Sequence, residues 1–244
     1  MKTIAVIPAR YAATRFPGKL MQTIGDKTII RRVYDNACAT GLFDEVLVVT
    51  DSDIILNEIA SVGGSVFKSK SDHQSGSDRI AEAVEKMDSD IIINIQGDEP
   101  FIQREPLAAL INCFQHEGVR VASIMKRFSS DEDPSNPNLV KVVVDKNNDA
   151  LYFSRSSIPF FRNASSDLVF FRHIGVYAYK KQALLNFTSW APTPLETTEM
   201  LEQLRYLEHG VAIRMVETNS SSIGIDTPED LEHARTFFQS LQKK

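Results

Sequence analysis

Asp90-Ile91-Ile92-Ile93-Asn94-Ile95-Gln96-Gly97-Asp98-Glu99-Pro100 passes abruptly from a β-branched apolar run into a polar turn. A short apolar run bounded by turn residues predicts a strand buried on both faces, as in parallel sheets. The segment from Gln96 to Pro100 is then a loop at the carboxyl end of a central strand, the edge where open α/β sheets bind ligands. Outward from this stretch the same rhythm recurs. Thr3 to Pro8 reads as a strand and Thr28 to Thr40 as a helix with apolar positions at Ile29, Ile30, Val33 and Ala37, closed by Gly41. Glu45 to Thr50 reads as a strand, Asp51 to Ala60 as a helix capped among Ser52 and Asp53, Val66-Phe67 as a short strand and Ser77 to Met87 as a helix. Strands alternating with helices predict an α/β fold with a doubly wound, mostly parallel sheet.

After a predicted helix from Arg104 to Glu117 and a strand from Val121 to Lys126 the texture changes. Val140 to Asp145 and Ala150 to Ser154 flank the turn Asn147-Asn148-Asp149 and predict a hairpin, with His173 to Lys180 as a further strand. Leu195 to His209 reads as one helix with an apolar stripe at Leu201, Leu204 and Leu207, and Pro228 to Leu241 as a closing helix capped by Thr227. At 244 residues the chain exceeds the usual ~100–200 residues per domain, so we expect one principal domain over 1–244 with a smaller antiparallel lobe inserted at about 128–190.

Composition removes several function classes. Against 27 basic residues stand 32 acidic ones, and the net charge of −5 has the wrong sign for a partner of nucleic acid. No apolar run approaches the ~20 residues of a membrane span, so we expect no membrane partner. Cys38 and Cys113, with no C-x-x-C spacing, point to a reducing, cytoplasmic compartment. His73, His116, His173, His209 and His233 lack paired metal-ligand spacing, and a G-x-S-x-G elbow is missing. Zinc hydrolases and serine esterases are thereby disfavoured.

The loop from Ala9 to Lys19 sets Arg10, Arg15 and Lys19 just after the first strand, a habitual phosphate position. Two guanidinium forks and an ammonium suit a polyphosphate, whereas the plain alternative is a solvated basic loop. Gly18-Lys19-Leu20 is no Walker A sequence. Asp98 at its strand end can hold Mg²⁺, which takes one or two carboxylates plus phosphate oxygens; alternatively it caps the next segment. Asp226, before Thr227-Pro228-Glu229, offers the same two readings, with helix capping the stronger rival. If both strand ends open on one rim, Asp98 and Asp226 can hold Mg²⁺ against a triphosphate. From His73 to Arg79 a polar stretch enters a helix start, so backbone N–H groups and Arg79 can meet a ligand, or the helix is simply capped. Asp51-Ser52-Asp53 has the form of a sugar-nucleotide D-x-D motif, although strand end plus N-cap explains it better. Cations, acidic strand ends and no covalent nucleophile together suit direct phosphoryl or nucleotidyl transfer.

Ala9-Arg10-Tyr11 through Arg15-Phe16-Pro17-Gly18-Lys19, His73-Gln74-Ser75-Gly76, Gln96-Gly97-Asp98-Glu99-Pro100, Tyr152-Phe153-Ser154-Arg155, Arg172-His173-Ile174-Gly175-Val176-Tyr177 and Glu199 to Arg205 occur in order along the chain. In that order they resemble the CMP-KDO synthetase family, the 3-deoxy-manno-octulosonate cytidylyltransferases. The resemblance implies a nucleotidyltransferase domain of the nucleotide-diphospho-sugar transferase-like fold, whose smaller lobe binds the sugar and dimerises. It implies transfer of CMP from CTP to the eight-carbon acid sugar KDO with release of pyrophosphate, Mg²⁺ as cofactor, and a cytoplasmic homodimer serving lipopolysaccharide synthesis. It also implies that Arg10, Arg15 and Lys19 hold the triphosphate, that Ser75 and Gln96 lie near the nucleotide, and that Asp98 and Asp226 carry Mg²⁺. Arg155, His173, Tyr177, Glu202 and Gln203 would face the sugar. On the residues themselves, Arg155 can fork a carboxylate, and His173 and Tyr177, four apart on a strand, share a face where they can reach hydroxyls or simply pack as a core His and Tyr. The rivals are a CMP-sialic acid synthetase of the same fold, a glycosyltransferase using Asp51-Ser52-Asp53, and a CTP-binding module without catalysis.

Overall fold

Two compact units divide the chain: Met1–Arg104 with Ser221–Lys244, and Glu105–Ser220. The lobe expected at about 128–190 falls within the second. A computed structural model describes residues 1–12, 16–70, 73, 75–130, 132–162, 169–220 and 223–242.

In the first unit β1 (Thr3–Ala9) is the axis of the sheet. Ile4, Ala5, Val6 and Ile7 are wholly buried, which is why the strand carries no alternating polar positions. A small antiparallel hairpin, β2 (Thr23–Ile24) with β3 (Lys27–Thr28), precedes α1 (Ile29–Ala39). The hydroxyl of Thr28 accepts from the amide of Arg31 and caps α1; Ile29, Ile30, Val33 and Ala37 form its buried stripe. The two isoleucines and the valine each contribute about 1.5–3 kcal/mol by burial, and the alanine methyl about 0.8 kcal/mol. Gly41 closes the helix at φ 63. β4 (Glu45–Thr50), α2 (Asp53–Ala60, capped by Ser52), β5 (Ser65–Lys68), α3 (Gly76–Val84, capped by Ser75) and β6 (Ile91–Asn94) complete the run.

The strand order in this unit is β6-β1-β4-β5, with every pairing parallel. The parallel α/β core read from the sequence is therefore present. Because Val6 pairs with Asn94 in parallel register, the loops that follow β1 and β6 leave the same edge of the sheet.

The second unit holds most of α4 (Arg104–Asn112), then β7 (Val121–Arg127), β8 (Lys141–Val144), β9 (Ala150–Ser154) and β10 (Phe171–Lys180). α5 (Lys181–Ser189), α6 (Pro194–Glu199), α7 (Leu204–Glu208) and β11 (Ile213–Glu217) follow. The pairs β7–β10, β10–β8 and β8–β9 are antiparallel, and the predicted hairpin turns at Asn148 with φ 62. β11 lies parallel to β7. Both β11 and α5 went unread in the sequence, β11 because its five residues offer only a short apolar alternation.

The single helix expected from Leu195 to His209 is corrected: it breaks at Met200, which adopts φ 53 and ends α6. The break turns α7 back so that the Arg205 guanidinium grips the Glu196 carboxylate, its Nε at 2.7 Å, with both residues buried. In a continuous helix nine residues rise about 13.5 Å, out of reach of that pair. α8 (Pro228–Gln242) returns to the first unit.

Candidate active site

Three segments of the first unit meet at the edge where β1 and β6 end. The loop after β1 carries Arg10, whose Nη2 donates to the carbonyl of His73 at 2.9 Å. Gly18, at φ 68, turns the chain into a short 3₁₀ turn, Lys19–Met21. From that turn Lys19 extends its ammonium to Asp98 Oδ2 at 2.6 Å, Asp226 Oδ1 at 2.9 Å and the carbonyl of Ile225 at 2.9 Å. The amide of Ile225 donates to the carbonyl of Asp98 at 3.1 Å, tying the two acidic segments together by main chain. Burial works against the charge of Lys19, but Asp98 and Asp226 outweigh it and hold its pKa above the ordinary lysine value.

A pocket of about 280 Å³ opens here, lined among the described residues by Pro8, Arg10, Ala12, Lys19, Leu20, Gln96, Gly97 and Asp98. Gly97 forms part of its floor, since a Cβ there would lie 2.9 Å from the carbonyl oxygen of Pro8. Only glycine lets the loop after β6 approach β1 this closely.

The rival reading of Asp226 as a helix cap is resolved by its neighbours. The Thr227 hydroxyl accepts from the amide of Asp230, and the Asp230 carboxylate accepts from the amides of Asp226 and Thr227. Capping of α8 is thus supplied by Thr227 and Asp230, and the Asp226 carboxylate is turned to Lys19.

Two carboxylates within hydrogen-bond distance of one nitrogen can share one cation, and carboxylate oxygens suit a hard ion such as Mg²⁺. Among the described residues no three His, Cys, Asp or Glu side chains gather as a metal cage. A divalent ion at Asp98 and Asp226 would complete its shell with phosphate oxygens and water, which is the habit of Mg²⁺.

Other residues singled out from the sequence are placed differently. Arg15 lies outside the described residues. Ser75 caps α3, accepting from the amide of Asp78 and donating to its carboxylate at 2.9 Å. Arg79, expected near the ligand, is wholly buried with Nη2 on Asp51 at 2.8 Å and does not line the pocket. Asp53 pairs with Lys68 at 2.6 Å and Ser52 caps α2, so the Asp51-Ser52-Asp53 carboxylates are directed to separate cations. His73 Nε2 donates to the Glu82 carboxylate across 2.6 Å; although burial raises the Glu82 pKa, its bonds to His73, Ser69 and the Lys70 amide hold it down to about 2.

The second unit gathers the remaining candidates. His173 Nε2 lies 2.9 Å from the Ser123 hydroxyl; burial pushes its pKa down to about 3, so the ring is neutral. Tyr177 lies 5.3 Å away between ring centroids. Four residues of regular strand span about 13 Å, so alternation alone does not produce this contact. A bulge between Ile174 and Tyr177 in the pairing of β10 with β7 brings the rings side by side.

Arg155 is held by carbonyl oxygens: its Nε on Glu199 at 2.8 Å, Nη1 on Pro137 at 3.0 Å and Nη2 on Met200 at 3.2 Å. A guanidinium has five N–H donors, so one on each Nη remains beyond these bonds. The Glu199 carboxylate accepts from the Ser154 hydroxyl and the Arg155 amide, and the buried Lys141 ammonium donates to the Arg155 carbonyl at 2.5 Å. Glu202, exposed, and Gln203, buried, occupy the break between α6 and α7. Ser123, Lys141 and Glu199 were missed in the sequence, because a lysine within the strand pattern Lys141–Val144 reads as a surface residue. Its burial is the signal, and burial is tertiary.

No helix among the described residues is long and apolar enough to cross a membrane. Residues 4–215 match the family model described as Cytidylyltransferase. Over 99% of this chain and all of the relative, the sequence is 54% identical to a 3-deoxy-manno-octulosonate cytidylyltransferase of Flavobacterium johnsoniae. One of the same name from Christiangramia forsetii is 52% identical, covering 96% of each chain. Among solved structures, a CMP:2-keto-3-deoxy-manno-octonic acid synthetase complexed with CTP is 38% identical, with a TM-score of 0.93 over 98% of this chain and 99% of that one.

Proposed function

The chain belongs to the cytidylyltransferase family, and we propose that it transfers CMP from CTP to KDO, giving CMP-KDO and pyrophosphate. The observation that carries this reading is the meeting of Lys19, Asp98 and Asp226, the first and last 207 positions apart, at the ligand-binding edge of a parallel sheet. Full-length likeness to relatives named for this reaction supports it.

The anomeric oxygen of the sugar forms a bond to the α-phosphorus as the bond from that phosphorus to the bridging oxygen of pyrophosphate breaks. The hydroxyl proton leaves to solvent, and no enzyme-bound intermediate is needed. Arg10 and Lys19, with Arg15, bind and orient the triphosphate and offset charge on the leaving pyrophosphate. Gln96, in the pocket lining, would lie beside the nucleotide. Mg²⁺, which Asp98 and Asp226 would hold, supplies neutralisation of phosphate charge and a lower pKa for the attacking hydroxyl. In the second unit, Arg155 offers its remaining N–H donors to the sugar carboxylate, while neutral His173, Tyr177, Glu202 and Gln203 supply hydrogen bonds to hydroxyls. Ser75 and Arg79 act from behind, by holding α3.

The same reading places the enzyme in the cytoplasm as a homodimer feeding lipopolysaccharide synthesis. Free thiols at Cys38 and Cys113 agree with a reducing compartment, and exposed Leu151 and Phe160 offer apolar surface for a subunit contact. Light scattering tests the dimer. The activity is tested by pyrophosphate release with Mg²⁺ and CTP, with and without KDO, beside UTP, ATP and a sialic acid. Release requiring both CTP and KDO is expected; release with sialic acid alone would change the substrate, and silence throughout would favour a binding module.

A further inference from the structure

Resting on the reading above, we propose that Lys19 is the resident cation of the Asp98–Asp226 pair and makes divalent-metal binding conditional on the triphosphate of the nucleotide. An ammonium has three N–H donors. In Lys19 they are matched one for one by Asp98 Oδ2, Asp226 Oδ1 and the Ile225 carbonyl, at 2.6, 2.9 and 2.9 Å. No donor is left over for a phosphate, so the contact that preorganises the two carboxylates also has to open before Lys19 can serve a ligand.

The side chain is only 13% exposed, against 27% for Asp98 and 49% for Asp226. A divalent ion arriving alone therefore meets a positive charge already seated between its two ligands, and like charges at that range repel strongly. A triphosphate changes both sides of the balance. Its oxygens accept the N–H groups that Lys19 gives up, and they complete the coordination shell of the metal. Lys19 sits on a four-carbon stem, so its ammonium can move while the turn after Gly18 stays in place. Linkage then requires that metal and nucleotide each strengthen the binding of the other by one common factor.

The test uses Mn²⁺ on the purified full chain, with free Mn²⁺ counted by electron paramagnetic resonance. Titrations are run with and without CTP, in the absence of KDO, and with the association of CTP and Mn²⁺ in solution measured separately. Wild-type protein is expected to bind Mn²⁺ at least about tenfold more weakly without CTP than with it. Lys19→Met, which keeps the stem and removes the charge, is expected to bind Mn²⁺ without nucleotide about tenfold more tightly than wild type. Nucleotide-free affinity in Lys19→Met no tighter than wild type, in protein with an unchanged circular dichroism spectrum, overturns the proposal. So does equal Mn²⁺ affinity with and without CTP in the wild-type chain, a result that needs no variant. Should Lys19→Met not fold, Lys19→Gln replaces it under the same criterion. Neither measurement uses KDO or turnover, so a failed pyrophosphate assay with KDO leaves this outcome legible.

Discussion

Asp98 and Asp226 reach the same ammonium from unlike anchors, one from the turn after β6 and the other from the capped start of α8. Replacing Asp98 by Asn keeps the shape and removes the charge, so kcat is expected to fall by roughly 10²–10³-fold while CTP binding is partly retained. Near-normal pyrophosphate release from that variant would take Asp98 out of the mechanism. Gly97 is constrained by contact: the alanine methyl would meet the Pro8 carbonyl at 2.9 Å, so main chain would have to shift. Gly97→Ala should lose about 1–3 kcal/mol of stability and weaken CTP binding, both readable from thermal unfolding with and without nucleotide. These two residues were legible in the sequence because Gln96-Gly97-Asp98-Glu99-Pro100 follows so apolar a run. The pairing of Arg79 with Asp51 was not, since a helix start exposes its first turn in sequence terms and only packing shows which side chain is covered.

The elements decide how firmly those residues are presented. Thr227 and Asp230 cap α8 reciprocally, so Thr227→Ala should cost about 1 kcal/mol, while turnover falls far less than on loss of the Asp226 carboxylate. Equal losses of turnover in Thr227→Ala and Asp226→Ala would mean that the helix start, rather than the carboxylate, matters. Met200 holds a left-handed backbone that a side chain adopts at a cost of roughly 1–2 kcal/mol. Met200→Gly is expected to raise the unfolding free energy by about 1 kcal/mol, measurable by urea titration. The break was hidden in the sequence because Leu201, Leu204 and Leu207 keep helical spacing across it. What overrides that spacing is the buried pair of Arg205 with Glu196, which pulls α7 back along α6. The bulge in β10 escaped for a related reason: Ile174-Gly175-Val176 continues an ordinary strand pattern, and only the register against β7 shows the extra residues.

For the molecule as a whole, His173 and Glu82 are two of the groups through which acid acts. The folded chain keeps His173 neutral down to about pH 3, whereas an unfolded histidine takes its proton near pH 6.5. Unfolding is therefore favoured progressively as pH falls from about 6.5 toward 3. Glu82, ionised in the fold down to about pH 2 against an ordinary 4.5, adds stability above that ordinary value and loses it on further acidification. Urea midpoints from pH 7 to pH 4 should decline in wild type, and His173→Asn should flatten the decline; parallel curves would contradict the assignment. The parallel α/β core and the hairpin were legible along the chain because side chains repeat every two residues in strands and every 3.6 in helices, and the caps and the family likeness were legible as short residue motifs. Those periods are local and survive in one dimension. Tertiary structure alone shows that the Asp226 carboxylate turns to Lys19, that Lys19 joins it to Asp98 and that a bulge seats Tyr177 against His173. Such contacts depend on strand order, register and burial, which bring together polar groups that no local pattern relates.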